Sequence, residues 1–355
     1  MAILEAHTPR QRLKLTLKRL GIRLLLLRYG WIRPRKRWDG PLRRVVILSQ
    51  EKFGDTILLT ALLRALKRAR PDVWITVVAV RPMGEILDHC PYVDALHNLR
   101  TMDRKERRRL FRVRFDLLFN AKDHPSSTFV MLSRRLRARR RVGIDHPLHR
   151  GHFHHLLALP EEMHLVRKHL ALLPLLGITP DPSARPEMPS GPVSPAVRDW
   201  LAGLPARAPL IGINLSATGP LRSLPTAYYA ALIAAIDLPI LLIALPERAA
   251  DKAELERRFP HVQTSPATAT IFDAAAVVAR LSVLVTPDTS LVHIASCFDI
   301  PVVALYRVAI DLHRFGALSR HRRTLLSPAG DVNGIPAADA VAAFRELWDE
   351  LQASR

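Results

Sequence analysis

Short runs of β-branched and aliphatic residues alternate, along most of this chain, with segments whose apolar positions recur at helical spacing. Val45–Ser49, Trp74–Val80 and Asp116–Asn120 read as strands, Thr56–Arg70 as a helix stopped by Pro71, and Gly84–His89 as a short helix. The pattern breaks between residues 180 and 195, where Pro180, Pro182, Pro186, Pro189, Pro192 and Pro195 exclude a regular element and suit a stiff linker. It then restarts, with Leu210–Asn214, Ile240–Leu245, Val283–Thr286 and Val302–Leu305 as strands and Thr226–Ile236, Glu247–Phe259, Ala274–Arg280 and Ser290–Cys297 as helices. A last amphipathic helix over Ala337–Gln352 has the option of packing back across the hinge. The expectation is an α/β protein of two Rossmann-like domains: an extension over 1–42, a first domain over 43–178, a Pro-rich linker over 179–206 and a second domain over 207–355.

A length of 355 residues with 48% apolar content suits two globular domains and argues against disorder. Cys90 and Cys297 stand far apart with no CxxC or metal-type spacing, which fits a reducing cytoplasm without a structural disulfide. The net charge of +21 is unevenly placed: residues 1–44 hold 13 Lys or Arg against Glu5 and Asp39, and residues 100–155 hold 16 against five acids. The first half therefore calls for an anionic partner, whether phosphorylated glycolipid, membrane surface or nucleic acid. No aromatic-interleaved basic strand or recognition-helix module accompanies the charge, so nucleic acid is not the expected partner.

In the first 40 residues, Leu13, Leu15, Leu17, Leu20, Ile22, Leu24 to Leu27, Trp31 and Ile32 are interleaved with Arg12, Lys14, Lys18, Arg19, Arg23, Arg28 and Arg33. The longest apolar run, Leu24 to Leu27, is too short to span a bilayer or to serve as the core of a signal peptide. Two readings stay open: a basic amphipathic helix on an anionic leaflet, with Trp31 and Trp38 beside Arg33, Arg35, Lys36 and Arg37 at the headgroups, or a helix packed on the domain.

Candidate chemistry sits at two strand-to-helix corners, Ser49-Gln50-Glu51-Lys52-Phe53-Gly54-Asp55-Thr56 and Thr286-Pro287-Asp288-Thr289-Ser290-Leu291-Val292-His293. Each follows a short apolar strand and opens a helix, so polar groups gather at the carboxyl ends of parallel strands, where open α/β sheets bind ligands. Two such corners suggest two domains facing one cleft, one bringing a carboxylate for chemistry and the other a helix N-terminus for phosphate. Asp55 taken alone is equally a helix N-cap, and His293 a packing residue.

Arg44-Val-Val-Ile-Leu-Ser, Phe53-Gly54-Asp55-Thr-Ile-Leu-Leu-Thr, Pro91-Tyr-Val-Asp94, Phe115-Asp-Leu-Leu-Phe-Asn120, Arg140-Arg-Val-Gly-Ile144, Asp288-Thr-Ser-Leu-Val-His-Ile-Ala295 and Ile300-Pro-Val-Val-Ala-Leu305 occur in that order. Together they resemble the lipopolysaccharide heptosyltransferase family, glycosyltransferase family 9, from about residue 43 to the end. The resemblance implies a GT-B fold and transfer of heptose from ADP-heptose, with inversion, to the inner core on Kdo-lipid A. It implies an ADP-sugar donor with no obligatory cofactor or metal, an anionic glycolipid acceptor, and a cytoplasmic enzyme peripherally associated with the inner membrane.

Under that resemblance Asp55 takes the proton from the attacking acceptor hydroxyl, while Gly54 lets the sugar approach and Lys52 balances acceptor or donor charge. The turn Asp288-Thr289-Ser290-Leu291 receives the donor diphosphate on its N–H groups. Asp288 goes to a sugar or ribose hydroxyl or holds the loop, and His293 braces the phosphate or the loop. In the loop Asn214 to Pro225, Ser216 and Thr218 add donors, and Arg222 stabilises the leaving diphosphate. Glu247 is expected to open a helix and bond the ribose. Lys122, Asp123 and His124 lie on the acceptor side, with Arg134, Arg135, Arg137, Arg139, Arg140 and Arg141 downstream as a surface for carboxylates and phosphates. His146, His149, His152, His154 and His155 are not expected to form a metal site, for lack of a carboxylate or cysteine. Ser290 in place of glycine, Leu224 in place of tryptophan, and Tyr306-Arg307 depart from the family pattern. If a positive φ is required at Ser290, serine would strain it. A catalytically idle, membrane-associated scaffold is the alternative these departures leave open.

Overall fold

The computed structural model describes residues 9–35, 38, 40–49, 52–79, 85–205 and 208–354, with the side chains of residues 9–12 and 14 left aside. Lys36, Arg37, Gln50, Glu51, Val80 and Gly84, which figure in the sequence expectations, lie outside the described residues.

The apolar runs of the first half form six parallel strands, β1 (Arg44–Ser49), β2 (Trp74–Ala79), β3 (Ala95–Asn98), β4 (Arg114–Asn120), β5 (Arg137–Ile144) and β6 (His155–Leu157), in the order β3-β2-β1-β4-β5-β6. Those of the second half form β7 (Ile211–Asn214), β8 (Ile240–Ile243), β9 (Val262–Gln263), β10 (Val283–Pro287), β11 (Val302–Tyr306) and β12 (Arg322–Leu326), again all parallel, in the order β12-β11-β10-β7-β8-β9. Counted within its own sheet, each half has the strand order 3-2-1-4-5-6 of a doubly wound nucleotide fold. The continuous aliphatic runs follow from this architecture, because a central parallel strand is covered on both faces. Val45, Val46, Ile47 and Leu48 of β1 have no exposed surface, nor do Ile57, Leu58 and Leu62 of the following helix.

The chain divides into two units, the first running to Glu161 and resuming over Val166–Ala184, the second taking Glu162–Leu165 and everything from Arg185. The division between Ala184 and Arg185 falls inside the proline-dense stretch. Part of the expected linker is regular, however: Pro195, with its φ already set, opens a helix over Pro195–Ala202. The last helix, Ala337–Ala353, packs on β11, β12 and the helix Thr226–Ala234 of its own unit. Its Phe344 and Leu347 join the core that includes Ile211, Tyr229 and Ile233.

The helix after β1 begins at Phe53, three residues before the expected start, with Lys52 as its N-cap. The basic extension forms a helix over Pro9–Tyr29 that packs on the helix Ser127–Arg135 and the turn Pro147–His149. Among the described residues, no helix is long and apolar enough to cross a membrane.

Candidate active site

β1 and β4 are neighbours at the place where the strand order of the first sheet reverses. In doubly wound folds the connections leaving the two strands at such a reversal run to opposite faces of the sheet, and ligands bind between them. Asp55 follows β1 and Lys122-Asp123-His124 follow β4, so the topology brings together the residues expected from the sequence to lie on the acceptor side. All four of Lys52, Lys122, Asp123 and His124 act electrostatically on Asp55.

Asp55 is the third residue of the helix Phe53–Ala69, not its N-cap, and the N-cap makes no side-chain hydrogen bond. The capping role is therefore set aside. Burial raises the Asp55 carboxyl above its ordinary range; Lys52 and Lys122 pull it back, Asp123 adds to the rise and His124 opposes it. A carboxylate raised in this way is the better proton acceptor.

Asp123 is held from one side by Lys168, whose Nζ lies 2.9 Å from Asp123 Oδ2 and also donates to the Glu161 carbonyl at 2.6 Å. The two side chains of this pair are 3% and 6% exposed. The other oxygen of Asp123 meets His124 Nδ1 at 3.1 Å, on a ring that is 57% exposed. Lys122 is buried, with its ammonium 4.7 Å from the centre of the Phe129 ring and its N–H donating to Asn120 Oδ1 at 3.1 Å. Lys168 had no signal in the sequence, being 45 residues from its partner within an ordinary helical stretch.

The arginines after this corner divide. Arg134 and Arg141, expected to dock acceptor anions, are committed to the fold: Arg141 donates to the carbonyls of Ser133, Ala138 and Leu136, and Arg134 to those of Tyr29, Gly30 and Gly151. The histidine run is likewise structural. His146 caps the turn Pro147–His149, the His149 ring bonds the Ile144 carbonyl at 2.8 Å, and His154 Nδ1 accepts from Arg141 N–H at 3.0 Å.

In the second sheet β7 and β10 occupy the equivalent reversal point. Asn214, at the end of β7, staples the two corners: its Nδ2 donates to Ser216 O at 3.0 Å, Thr286 Oγ1 at 2.9 Å and Thr289 Oγ1 at 3.2 Å. Ser216 Oγ in turn accepts from Leu245 N–H at 2.8 Å, which ties in the corner after β8. Gly219, at φ 92, then turns the loop into Pro220–Arg222, a conformation that a side chain would strain. Thr218 is exposed beside it.

Arg222 Nη2 lies 3.1 Å from Asp311 Oδ2 and 3.3 Å from Asp288 Oδ2, and Arg307 reaches the same Asp311 oxygen at 3.8 Å. Thr289 is the N-cap of the helix Ser290–Phe298 and accepts from Leu291 N–H at 3.3 Å. Ser290 is the first helical residue, and the only described non-glycine residue with positive φ is Asp299, at the far end of that helix. The strain considered for serine at this position is therefore absent.

His293 is 4% exposed, against the Phe315 ring, and burial with His164 nearby lowers its pKa to about 3. It is a neutral ring at physiological pH and brings no cation to a phosphate. Glu247 is exposed in the turn Pro246–Arg248 rather than on the first turn of the helix that follows, Ala249–Arg258. Leu224 is 2% exposed in the core of the second unit, so leucine at this position is a packing residue. Asp311 and Arg307 were not anticipated as members of the Arg222 cluster; opposite charges four residues apart across the start of the helix Ala309–Phe315 were the available signal.

No curated protein matches the chain in sequence. Among solved structures, a glycosyl transferase family 9 protein from Veillonella parvula DSM 2008 is similar with a TM-score of 0.71 at 20% identity, over 89% of this chain and 100% of that one. E. coli heptosyltransferase WaaC with ADP gives 0.67 at 17%, over 86% and 99%. E. coli ADP-heptose lps heptosyltransferase II gives 0.63 at 18%, over 88% and 100%. At these identities the likeness is one of fold, the two-sheet GT-B arrangement. The model of glycosyltransferase family 9 (heptosyltransferase) matches residues 104–332, well over half of the chain, beginning after the Asp55 corner. The chain belongs to glycosyltransferase family 9 and is a glycosyltransferase of the GT-B type.

Proposed function

We propose that this enzyme transfers heptose from ADP-heptose, with inversion, to a lipopolysaccharide core acceptor of the Kdo-lipid A type, working in the cytoplasm at the inner face of the membrane. Asp55 takes the proton from the acceptor hydroxyl as it attacks the anomeric carbon. Lys52, Lys122 and His124 supply positive charge for an anionic acceptor, and the buried Lys168–Asp123 pair fixes the turn that carries them. In the second unit the N–H groups of the Thr289-Ser290-Leu291 turn receive the diphosphate, and Arg222 neutralises the charge that develops as the glycosidic bond breaks. Ser216 orders the loop, while Thr218 and Glu247 are exposed positions where the nucleotide can be contacted. The similarity to E. coli heptosyltransferase WaaC with ADP and to E. coli ADP-heptose lps heptosyltransferase II supports this choice of substrates.

The observation that carries the reading is the setting of Asp55: a carboxylate raised by burial at the switch point of its sheet, with two lysines and a histidine acting on it. The test is ADP release by purified protein from a panel of nucleotide sugars, with and without a Kdo-lipid A type acceptor. Acceptor-dependent release from ADP-heptose, lost in Asp55→Ala with folding intact, is the expected result. Turnover of a different nucleotide sugar, or none at all, overturns the substrate assignment.

A further inference from the structure

The helix Pro9–Tyr29 has two apolar faces, and the fold uses one. On the inner face Ile22 has no exposed surface and Leu15, Leu25, Leu26 and Tyr29 are half-buried, where the helix packs on Ser127–Arg135 and on the turn Pro147–His149. The end of the helix is fastened: Arg134 donates to the carbonyls of Tyr29 and Gly30, Ile32 N–H to Gly151 O at 2.8 Å, and Arg35 N–H to His154 O at 2.7 Å. These bonds fix which side points outward.

On the outer face Leu13, Leu17, Leu20, Leu24 and Leu27 recur at alternating intervals of four and three, a line that spreads by only about 40° to either side on a helix of 3.6 residues per turn. They are between 50% and 83% exposed. Just past the end of the helix Trp31 is 61% exposed; its ring lies over Gly151, where a Cβ would come within 2.6 Å of it and φ is +79. By helical position Arg28 flanks one side of the leucine line, and Arg19 and Arg23 the other. Residues 9–35 hold nine Lys or Arg and no acid.

The charge pattern selects the occupant. A second copy zipped along the same leucines would set basic rims against basic rims, with no carboxylate on the helix to pair them. An anionic bilayer surface satisfies both features, taking the leucines into the acyl boundary and the cations among the phosphates, with Trp31 at headgroup level. We propose that the Leu13–Leu27 line is an interfacial anchor that seats the enzyme on anionic lipid. The inference deepens the membrane-side reading and rests on it only for the choice of leaflet, because lipid binding requires no turnover.

The test is cosedimentation of the full chain with vesicles of phosphatidylcholine alone and of phosphatidylcholine mixed with phosphatidylglycerol, at low and high salt. Binding is expected only with the anionic lipid. It should fall about 100-fold in Leu17→Gln/Leu24→Gln, at about tenfold per leucine, and roughly thirtyfold in Arg19→Gln/Arg23→Gln. Both variants should keep the wild-type melting temperature and wild-type transfer to a lipid-free acceptor. Undiminished vesicle binding by the leucine variant, equal binding to neutral vesicles, or a concentration-dependent dimer abolished by the leucine variant would overturn the proposal. Loss of transfer in the wild type with vesicle binding intact would instead count against the enzymatic reading alone.

Discussion

Replacing Asp55 with asparagine should slow transfer and raise stability together, a combination that separates a base from a structural carboxylate. The substitution keeps the volume of the side chain on the first turn of the helix and removes a charge that burial disfavours there. Because the folded-state pKa is raised, the unfolded chain ionises Asp55 more readily than the native protein does. Its contribution to stability is therefore full below the unfolded carboxylate range and is lost as pH rises through the folded value. The asparagine variant should melt above the wild type near pH 7, and the two should converge as the pH falls toward about 4. A positioned base contributes about 10²–10⁴-fold, which is about 2.7–5.4 kcal/mol of barrier. Since Lys52, Lys122 and His124 remain, the loss should fall on kcat rather than on KM. Steady-state ADP release and thermal melts on the same preparations read both effects. A variant that keeps kcat within about tenfold, below the range for a general base, or that melts lower than the wild type at neutral pH, refutes the reasoning.

Arg222→Gln should lower transfer by about 10²–10³-fold, and adding Asp311→Asn should restore its melting temperature without restoring turnover. Arg307→Ala removes the second cation from Asp311, which should strengthen the hold of Asp311 on Arg222 and raise KM for the donor with little change in kcat, as read in initial-rate kinetics. Lys168→Met strands the buried Asp123 carboxylate and should cost about 3–5 kcal/mol in denaturant unfolding, much of it recovered in Asp123→Asn/Lys168→Met. Burial lowers the His149 pKa to about 4 from an ordinary value of 6.5, so its contribution is present above pH 6.5 and is lost as the pH falls toward 4. The slope is about 1.4 kcal/mol per pH unit for one such proton, and His149→Gln should flatten melting curves between pH 6.5 and 5 by that amount.

The central strands and both corners were legible because a strand covered on two faces must be written as a continuous aliphatic run, and Val45–Leu48 and Val283–Val285 are such runs. β5 was not legible as a strand because Arg137, Arg139, Arg140 and Arg141 dominate it. Arg137 and Arg139 are exposed, and Arg141 turns its guanidinium onto carbonyls of its own neighbourhood, so a charged run is compatible with a strand beside the edge. Motif carboxylates were legible as motif but not as role. Asp94 accepts from Ile75 N–H at 2.7 Å and pairs with Lys67, and Asp116 accepts from Arg43 and Arg44 N–H at 2.8 and 2.9 Å, so each secures the start of a neighbouring strand. The helix near the N-terminus was legible, but its two opposed apolar lines were not: the membrane-facing and domain-packed readings were set against each other, whereas the helix carries an apolar line for each.

The departures at Tyr306-Arg307 acquire a physical reading from the cluster around Arg222. Tyr306 is fully buried, its hydroxyl donating to the Phe315 carbonyl at 3.4 Å, so it holds the helix Ala309–Phe315 against β11. That helix carries Asp311, which faces both arginines. The set of two arginines with Asp288 and Asp311 is close to neutral, so the diphosphate that we propose for Arg222 would compete with two carboxylates already in place. When Arg222 turns to the diphosphate, Asp311 keeps Arg307 and is not left as an uncompensated charge. Arg307 thus supplies what a loop built around one arginine would lack, a resting partner for the carboxylate that Arg222 leaves. On this account the residues at which the chain departs from its family compensate one another, which favours a working donor site over an idle one.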